Sequence, residues 1–226
     1  MNLKPFYRNI LPHIRKYILA RPIMFITDKT HRQWLDKMYF KGNYISESED
    51  FEKFRIQAWN DPDWEEILEL CDPLEVHVRM GHFFETHLRE IIFDLDTSDS
   101  VGLETAFDYA KGFYDWILTN REKEVDIVRI LFSGNRGFHI RVLLTERLSP
   151  IALEAKMLEW KDAYNKPFIG VVDTNMCRPS HFIRMPFSYN KKGKKFSFFC
   201  ERFGEFSETI AKEKSDQLKE SFSTCV

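Results

Sequence analysis

The chain has 226 residues and a formal charge of −2, enough for one large domain or two small ones, and its bulk charge announces no nucleic-acid partner. Apolar residues make up 43 % and aromatics 15 %, with 21 phenylalanines, which supplies a packed core and excludes disorder. Four cysteines, Cys71, Cys177, Cys200 and Cys225, show no CxxC spacing, so neither a zinc ribbon nor a disulfide framework is expected.

No apolar run reaches the roughly 18 residues that span a bilayer. The first residues are broken by Pro5, Arg8, Pro12, His13 and Arg15, a poor signal peptide. The expectation is an intracellular protein (cytoplasm of a prokaryote or host cell, or nucleus), not secreted and with no membrane partner.

In chain order, residues 50–59 and 63–70 read as helices punctuated by Pro62 and Pro73. Residues 89–96 read as a strand, apolar at Ile91, Ile92, Phe93 and Leu95. Over 102–120, Leu103, Phe107, Ala110, Tyr114 and Ile117 recur at spacings of three and four, which predicts an amphipathic helix. Residues 126–133 and 137–144 are β-rich and flank Gly134-Asn135-Arg136, a hairpin signal. Ser149-Pro150 supplies an N-cap and a first-turn proline for a helix to about Tyr164. A last β-rich run covers 168–173.

The order β-α-β-β-α-β predicts an α+β, RNA-recognition-like sheet with helices on one face, preceded by a mostly helical N-terminal part. Side chains alternate along a strand. If Ile91, Phe93 and Leu95 face the helices, Asp94 and Asp96 face the other way. By the same parity Val128, Ile130 and Phe132 are core and Ser133 is not; Phe138, Ile140, Val142 and Leu144 are core, and His139 and Arg141 are not. Three strands thus send polar residues to one uncovered face.

Two carboxylates one residue apart repel unless a cation sits between them, and magnesium or manganese prefers hard oxygen ligands. Asp173 is a candidate third ligand, or an Asp that opens a turn with Thr174 and Asn175. The turn from Ser133 to His139 offers a hydroxyl, a guanidinium, an imidazole and glycine backbone, all phosphate-binding groups. Lys191, Lys192, Lys194 and Lys195 sit at a predicted hairpin tip, a solvated loop or a contact to a nucleic-acid backbone. Cys177, His181 and Cys200 could form a partial metal site, but their spacing matches no usual knuckle, and His181 shares parity with Ile183 and Met185. No structural zinc is expected.

Residues 92–99 (IFDLDTSD), 132–139 (FSGNRGFH), Asp173-Thr174-Asn175 and 181–188 (HFIRMPFS) resemble, in order, blocks of the small catalytic subunit of archaeal and eukaryotic DNA primase. A weaker likeness is 21–25 (RPIMF) with Arg32, similar to the family's N-terminal arginine block. The sequence departs from the family pattern at Asn135, where an arginine is common, and at Asn190, where Ser-x-His often ends; it also lacks the usual zinc-binding insertion. It resembles a short, divergent member.

The resemblance implies one primase-type catalytic domain over 1–226: an N-terminal mixed or helical portion over 1–75, a catalytic core over 76–204 and a C-terminal helix over 205–226. It implies template-directed nucleotidyl transfer for primer synthesis, with two magnesium or manganese ions on Asp94, Asp96 and Asp173. Ser133, Arg136, His139 and Arg184 would hold the nucleoside triphosphate, with Arg136, His139 and Arg184 offsetting its charge. Arg21 and the four lysines would contact the single-stranded DNA template, and a large primase subunit or replicative helicase would be a partner. The rivals are a gap-filling or end-joining polymerase of the same superfamily and a catalytically silent nucleic-acid-binding module. The last predicts aromatics on the uncovered face, where this sequence has carboxylates, His139 and Arg141.

Overall fold

The computed structural model describes residues 3–14, 21–28, 44–47, 53–58, 61–70, 73, 75–81, 86–96, 101–164 and 173–223. Arg32, Cys71, Cys225 and residues 168–172 of the strand expected over 168–173 lie outside the described residues.

The elements that carry the sequence motifs form as their patterns require. Strand β5 (Leu88–Asp96) is followed by the helix α3 (Leu103–Asn120) and by the hairpin β6 (Val125–Phe132) and β7 (Gly137–Leu148). The helix α4 (Pro150–Ala163) follows, and its Ser149 side chain accepts a hydrogen bond from Ala152 N, an N-cap with proline in the first turn. A short strand β11 (Phe198–Phe199) completes an antiparallel sheet in the order β11-β6-β7-β5. Helices α3 and α4 both pack on this sheet. Phe93, Phe132, Phe138 and Ile140 are wholly buried, and rings interlock edge-on, as Phe93 with Phe113 at 4.8 Å between centroids. Each such side chain contributes about 1.5–3 kcal/mol by leaving water.

Another sheet lies ahead of this one, so that in chain order it is the first sheet and the β11-β6-β7-β5 sheet is the second. Helix α1 (Lys4–Ile14), strands β1 (Ile23–Asp28), β2 (Tyr44–Glu47) and β3 (Lys53–Ala58), helix α2 (Asp61–Leu70) and strand β4 (Glu75–Arg79) precede β5. The sheet runs β2-β3-β1-β4-β8, with β8 (Phe182–Arg184) returning from the C-terminal part. The helix expected over 63–70 is α2. The helix expected over 50–59 is corrected to a strand: β3 is hydrogen-bonded on both sides, to β1 and to β2. Phe51 and Phe54 suggest a helical spacing, but Phe54, Ile56 and Ala58 recur at two, and strand pairing decides between them. The N-terminal part therefore carries a sheet as well as helices.

Strands β9 (Tyr189–Asn190) and β10 (Lys195–Phe196) form the expected lysine hairpin. The C-terminal helix α5 (Glu208–Ser223) packs on α1 and β10, with Phe6 between Phe196 at 4.3 Å and Phe222 at 5.7 Å. No described helix is long and apolar enough to cross a membrane.

Candidate active site

The strand parity expected from the sequence holds residue by residue. Asp94 pairs with His139, Leu95 with Phe138 and Asp96 with Gly137 across β5 and β7. Cross-strand partners share a face, so Asp94, Asp96 and His139 stand together, opposite the helices. Gly137 is needed for this: a Cβ there would lie 2.5 Å from Leu95 O and 2.7 Å from Asp96 Oδ1.

The face is not uncovered, which corrects the sequence expectation. The first sheet lies over it, and His139 and Arg141 are buried. Along β4, Glu75, His77 and Arg79 alternate with the buried Val76 and Val78, and His77 pairs with Arg184 of β8. Arg184 Nη1 lies 3.2 Å from Glu75 Oε2 and donates to Tyr189 O at 3.0 Å. His77 Nε2 is 3.4 Å from the same Glu75 oxygen. Burial alone would raise the Glu75 pKa; His77, Arg184 and the backbone N–H of Lys191 together outweigh it and hold Glu75 at about 2. Glu75 and His77 have a sequence signal, the two-residue alternation of EVHVR over 75–79.

Asp94 is the opposite case. Its Oδ1 is buried without a hydrogen-bond partner, and His139 Nε2 stands off at 3.6 Å. Burial, then the charges of Asp96 and Asp173, push its pKa up to about 7. Burial, then Arg141, Arg184 and His77, push His139 down to about 3. His139 is thus a neutral imidazole at pH 7, and the two do not form an ion pair. In the ligand-free chain His139 offers a hydrogen bond and not a charge.

Asp173 opens the turn Thr174–Cys177, which lies beside β5 and α4. Its Oδ1 accepts from Asn175 N at 3.0 Å and Asn175 Nδ2 at 2.8 Å. Asp173 therefore caps a turn, and its charge reaches Asp94. A divalent cation fits this chemistry, because a buried carboxylate oxygen lacks a partner and two further carboxylates repel it. The three are not drawn tight, since among the described residues no group of three His, Cys, Asp or Glu side chains is gathered closely enough to hold a metal as it stands.

Ser133 is buried at the base of the β6–β7 turn, where its Oγ accepts from Gly137 N at 3.3 Å. Arg136 is exposed at the tip. In the lysine hairpin, Lys191, Lys192 and Lys194 are exposed, whereas Lys195 Nζ is 2.9 Å from Glu208 on α5. Arg21 is a further correction. It is 3 % exposed and donates to Met80 O and to Glu90 Oε2, each at 2.8 Å. Glu90 also accepts from Arg141 Nε at 2.7 Å. Arg21 therefore belongs to an internal ion-pair triad and not to a strand-binding surface. Cys177 lies against Met157 and Cys200 against Ile130 O, both buried.

No protein-family model matches the sequence, and no curated protein is significantly similar to it. Among solved structures, the chain is similar to the polymerase domain of Mycobacterium tuberculosis ligase D, solved in complex with DNA. The TM-score is 0.61 at 12 % identity, over 99 % of this chain and 92 % of that one. It is also similar to the AEP domain of the cyanophage S-2L primase-polymerase, with a TM-score of 0.43 at 10 % identity, over 94 % and 96 % of the two chains. The chain has the two-sheet α+β fold of the ligase's polymerase domain.

Proposed function

We propose that the chain is a template-directed nucleotidyltransferase of the archaeo-eukaryotic primase type, a DNA primase or primase-polymerase that makes primers on single-stranded DNA. The observation that carries the reading is the Asp94 carboxylate, with one buried oxygen unsatisfied and the charges of Asp96 and Asp173 acting on it, in a fold shared with a polymerase domain.

Asp94, Asp96 and Asp173 would hold two magnesium or manganese ions, which when bound stabilise the charge of a transferring phosphoryl group and favour ionisation of the attacking hydroxyl. Arg136 and Arg184 offset triphosphate charge. Arg184 is pre-positioned for this by Glu75 and Tyr189 O. The Ser133 hydroxyl, which accepts from Gly137, keeps its proton to donate to a phosphate oxygen. His139 adds one neutral hydrogen bond. Lys191, Lys192 and Lys194 hold the template or primer backbone, a contact weakened by salt. No side chain becomes covalently attached to substrate.

The second reading is a gap-filling or end-joining polymerase of the same superfamily, and the likeness to the polymerase domain of a ligase is compatible with either. Primer-free synthesis separates the two. The purified chain is incubated with single-stranded template, nucleotides and manganese, with and without primer. Labelled product without primer supports the primase reading. Product only with primer supports the gap-filling one, and no product in either arm overturns both.

A further inference from the structure

Two hairpins meet beside the site, and they meet backbone to backbone. At Gly193 in the lysine tip, a Cβ would lie 2.0 Å from Gly134 O and 2.6 Å from Asn135 Cα. At Gly134, whose φ is +83°, a Cβ would lie 2.8 Å from Lys195 O and 2.9 Å from Asn190 Cβ. Neither position admits a side chain without forcing the hairpins apart.

Polar contacts reinforce the junction. Asn190 is buried and uses both ends of its amide. Its Nδ2 donates to Ser133 O at 3.2 Å, across to the β6–β7 turn. Its Oδ1 accepts from Lys192 N at 3.0 Å and Gly193 N at 3.1 Å, within the lysine tip. Glu75 makes a second tie: Oε1 accepts from Lys191 N at 2.9 Å and Oε2 faces Arg184 at 3.2 Å. Lys194 is held at φ 54°, an uncommon conformation for a side-chain-bearing residue, with its N–H on Asn190 O at 2.7 Å. Such a conformation persists where the surroundings over-determine it.

We infer that Asn190, Glu75 and the Gly134–Gly193 contact form a positioning device that locks the lysine tip to the turn carrying Ser133 and Arg136, so that strand and nucleotide bind cooperatively. The inference rests on the function proposed above. A nucleic-acid strand that holds the tip also holds the turn through Asn190, and it holds Arg184 through Glu75. The nucleotide then meets a turn already fixed, and by linkage it strengthens strand binding by the same factor. Asn190 and Glu75 touch neither substrate; they act through backbone and through Arg184.

The test is a pair of titrations with an α,β-methylene nucleoside triphosphate, with and without saturating oligothymidylate. The wild type is expected to bind the nucleotide at least about fivefold more tightly when the strand is present. N190D keeps an acceptor for Lys192 N and Gly193 N but loses the donor to Ser133 O. G193A keeps every functional side chain but pushes the hairpins apart. E75Q keeps the acceptor for Lys191 N and loosens Arg184. Each is expected to bring the ratio towards one, N190D and G193A most. A purely structural role would lower the unfolding midpoint, or both affinities, and leave the ratio unchanged, so thermal unfolding accompanies each titration. Should G193A not fold, N190D decides. Folded variants with the wild-type ratio, or a wild type that binds both ligands independently, overturn the inference alone. A wild type that binds neither ligand overturns it together with the proposed function.

Discussion

Along β5, two carboxylates four residues apart on one face meet opposite surroundings. Glu90 is enclosed by Arg21 and Arg141; burial opposes its ionisation, but the two guanidiniums prevail and hold it at about 2. Asp94 is half-buried, but its neighbours are Asp96 and Asp173, and its pKa is driven up to about 7. The triad at Glu90 is satisfied within the chain and ties Arg21, just ahead of β1, to the second sheet. The cluster at Asp94 is left in want of positive charge. A satisfied buried charge explains architecture, and an unsatisfied one points to chemistry supplied from outside.

Substitution should separate the two ends of the strand sharply. Asp94→Ala, Asp96→Ala and Asp173→Ala are each expected to lower synthesis by about 10²–10³-fold or more in a primer-extension assay. Asp94→Ala should leave the urea midpoint unchanged or raised, because it removes a group in a repulsive setting. Near-wild-type turnover in any of the three at saturating metal would remove that residue from the site. Glu90→Ala should do the reverse, costing about 3–5 kcal/mol of stability by leaving two buried guanidiniums uncompensated. A Glu90→Ala protein with an unchanged midpoint would break the comparison.

The same contrast has a pH signature. The folded pKa of Glu90, about 2, lies below its ordinary value of 4.5. Its stabilisation is therefore present above about pH 4.5 and is lost as pH falls towards about 2, a contribution of about 3 kcal/mol. Acid unfolding of wild type and Glu90→Gln should diverge above that window and converge within it. Parallel curves would contradict the assignment.

Smaller effects distinguish the cations. Arg136→Ala should weaken nucleotide binding about ten- to a hundredfold, as a charged phosphate contact is worth about 1.5–3 kcal/mol. His139→Ala should weaken it less, since a neutral hydrogen bond contributes about 0.5–1.5 kcal/mol. Equal losses would mean that His139 is charged in the complex. Replacing Lys191, Lys192 and Lys194 by Gln should flatten the salt dependence of single-strand binding, by about 0.7 in logarithmic slope for each phosphate that is no longer neutralised. Lys195, paired with Glu208, should add little.

The second sheet was legible because its signals are local. The alternation in β5 and β7, the three-and-four spacing of α3 and the Ser149-Pro150 start of α4 each lie within one element. They fix which face Asp94, Asp96 and His139 share. The first sheet was not legible for two reasons. Phe51, Phe54 and Ile56 fit helix and strand spacings alike, and β3 is decided by partners far along the chain. Nothing local says that β4 will lie over His139, so the face looked bare and Arg21 looked available to a strand. The roles of Glu75 and Asn190 depend on hairpins that meet only in the folded chain. The EVHVR alternation over 75–79 was the one available signal there.

The most direct test of the proposed two-segment metal site is a calorimetric titration of manganese into the chain in the presence of the α,β-methylene nucleotide. Carboxylates from two separate segments should act as one site: the wild type binds manganese, and Asp94→Ala, Asp96→Ala and Asp173→Ala each lose most of that affinity while remaining folded. If Asp173→Ala binds manganese as the wild type does, the 173–177 turn is only a capped turn, and a site assembled from two parts of the chain does not exist.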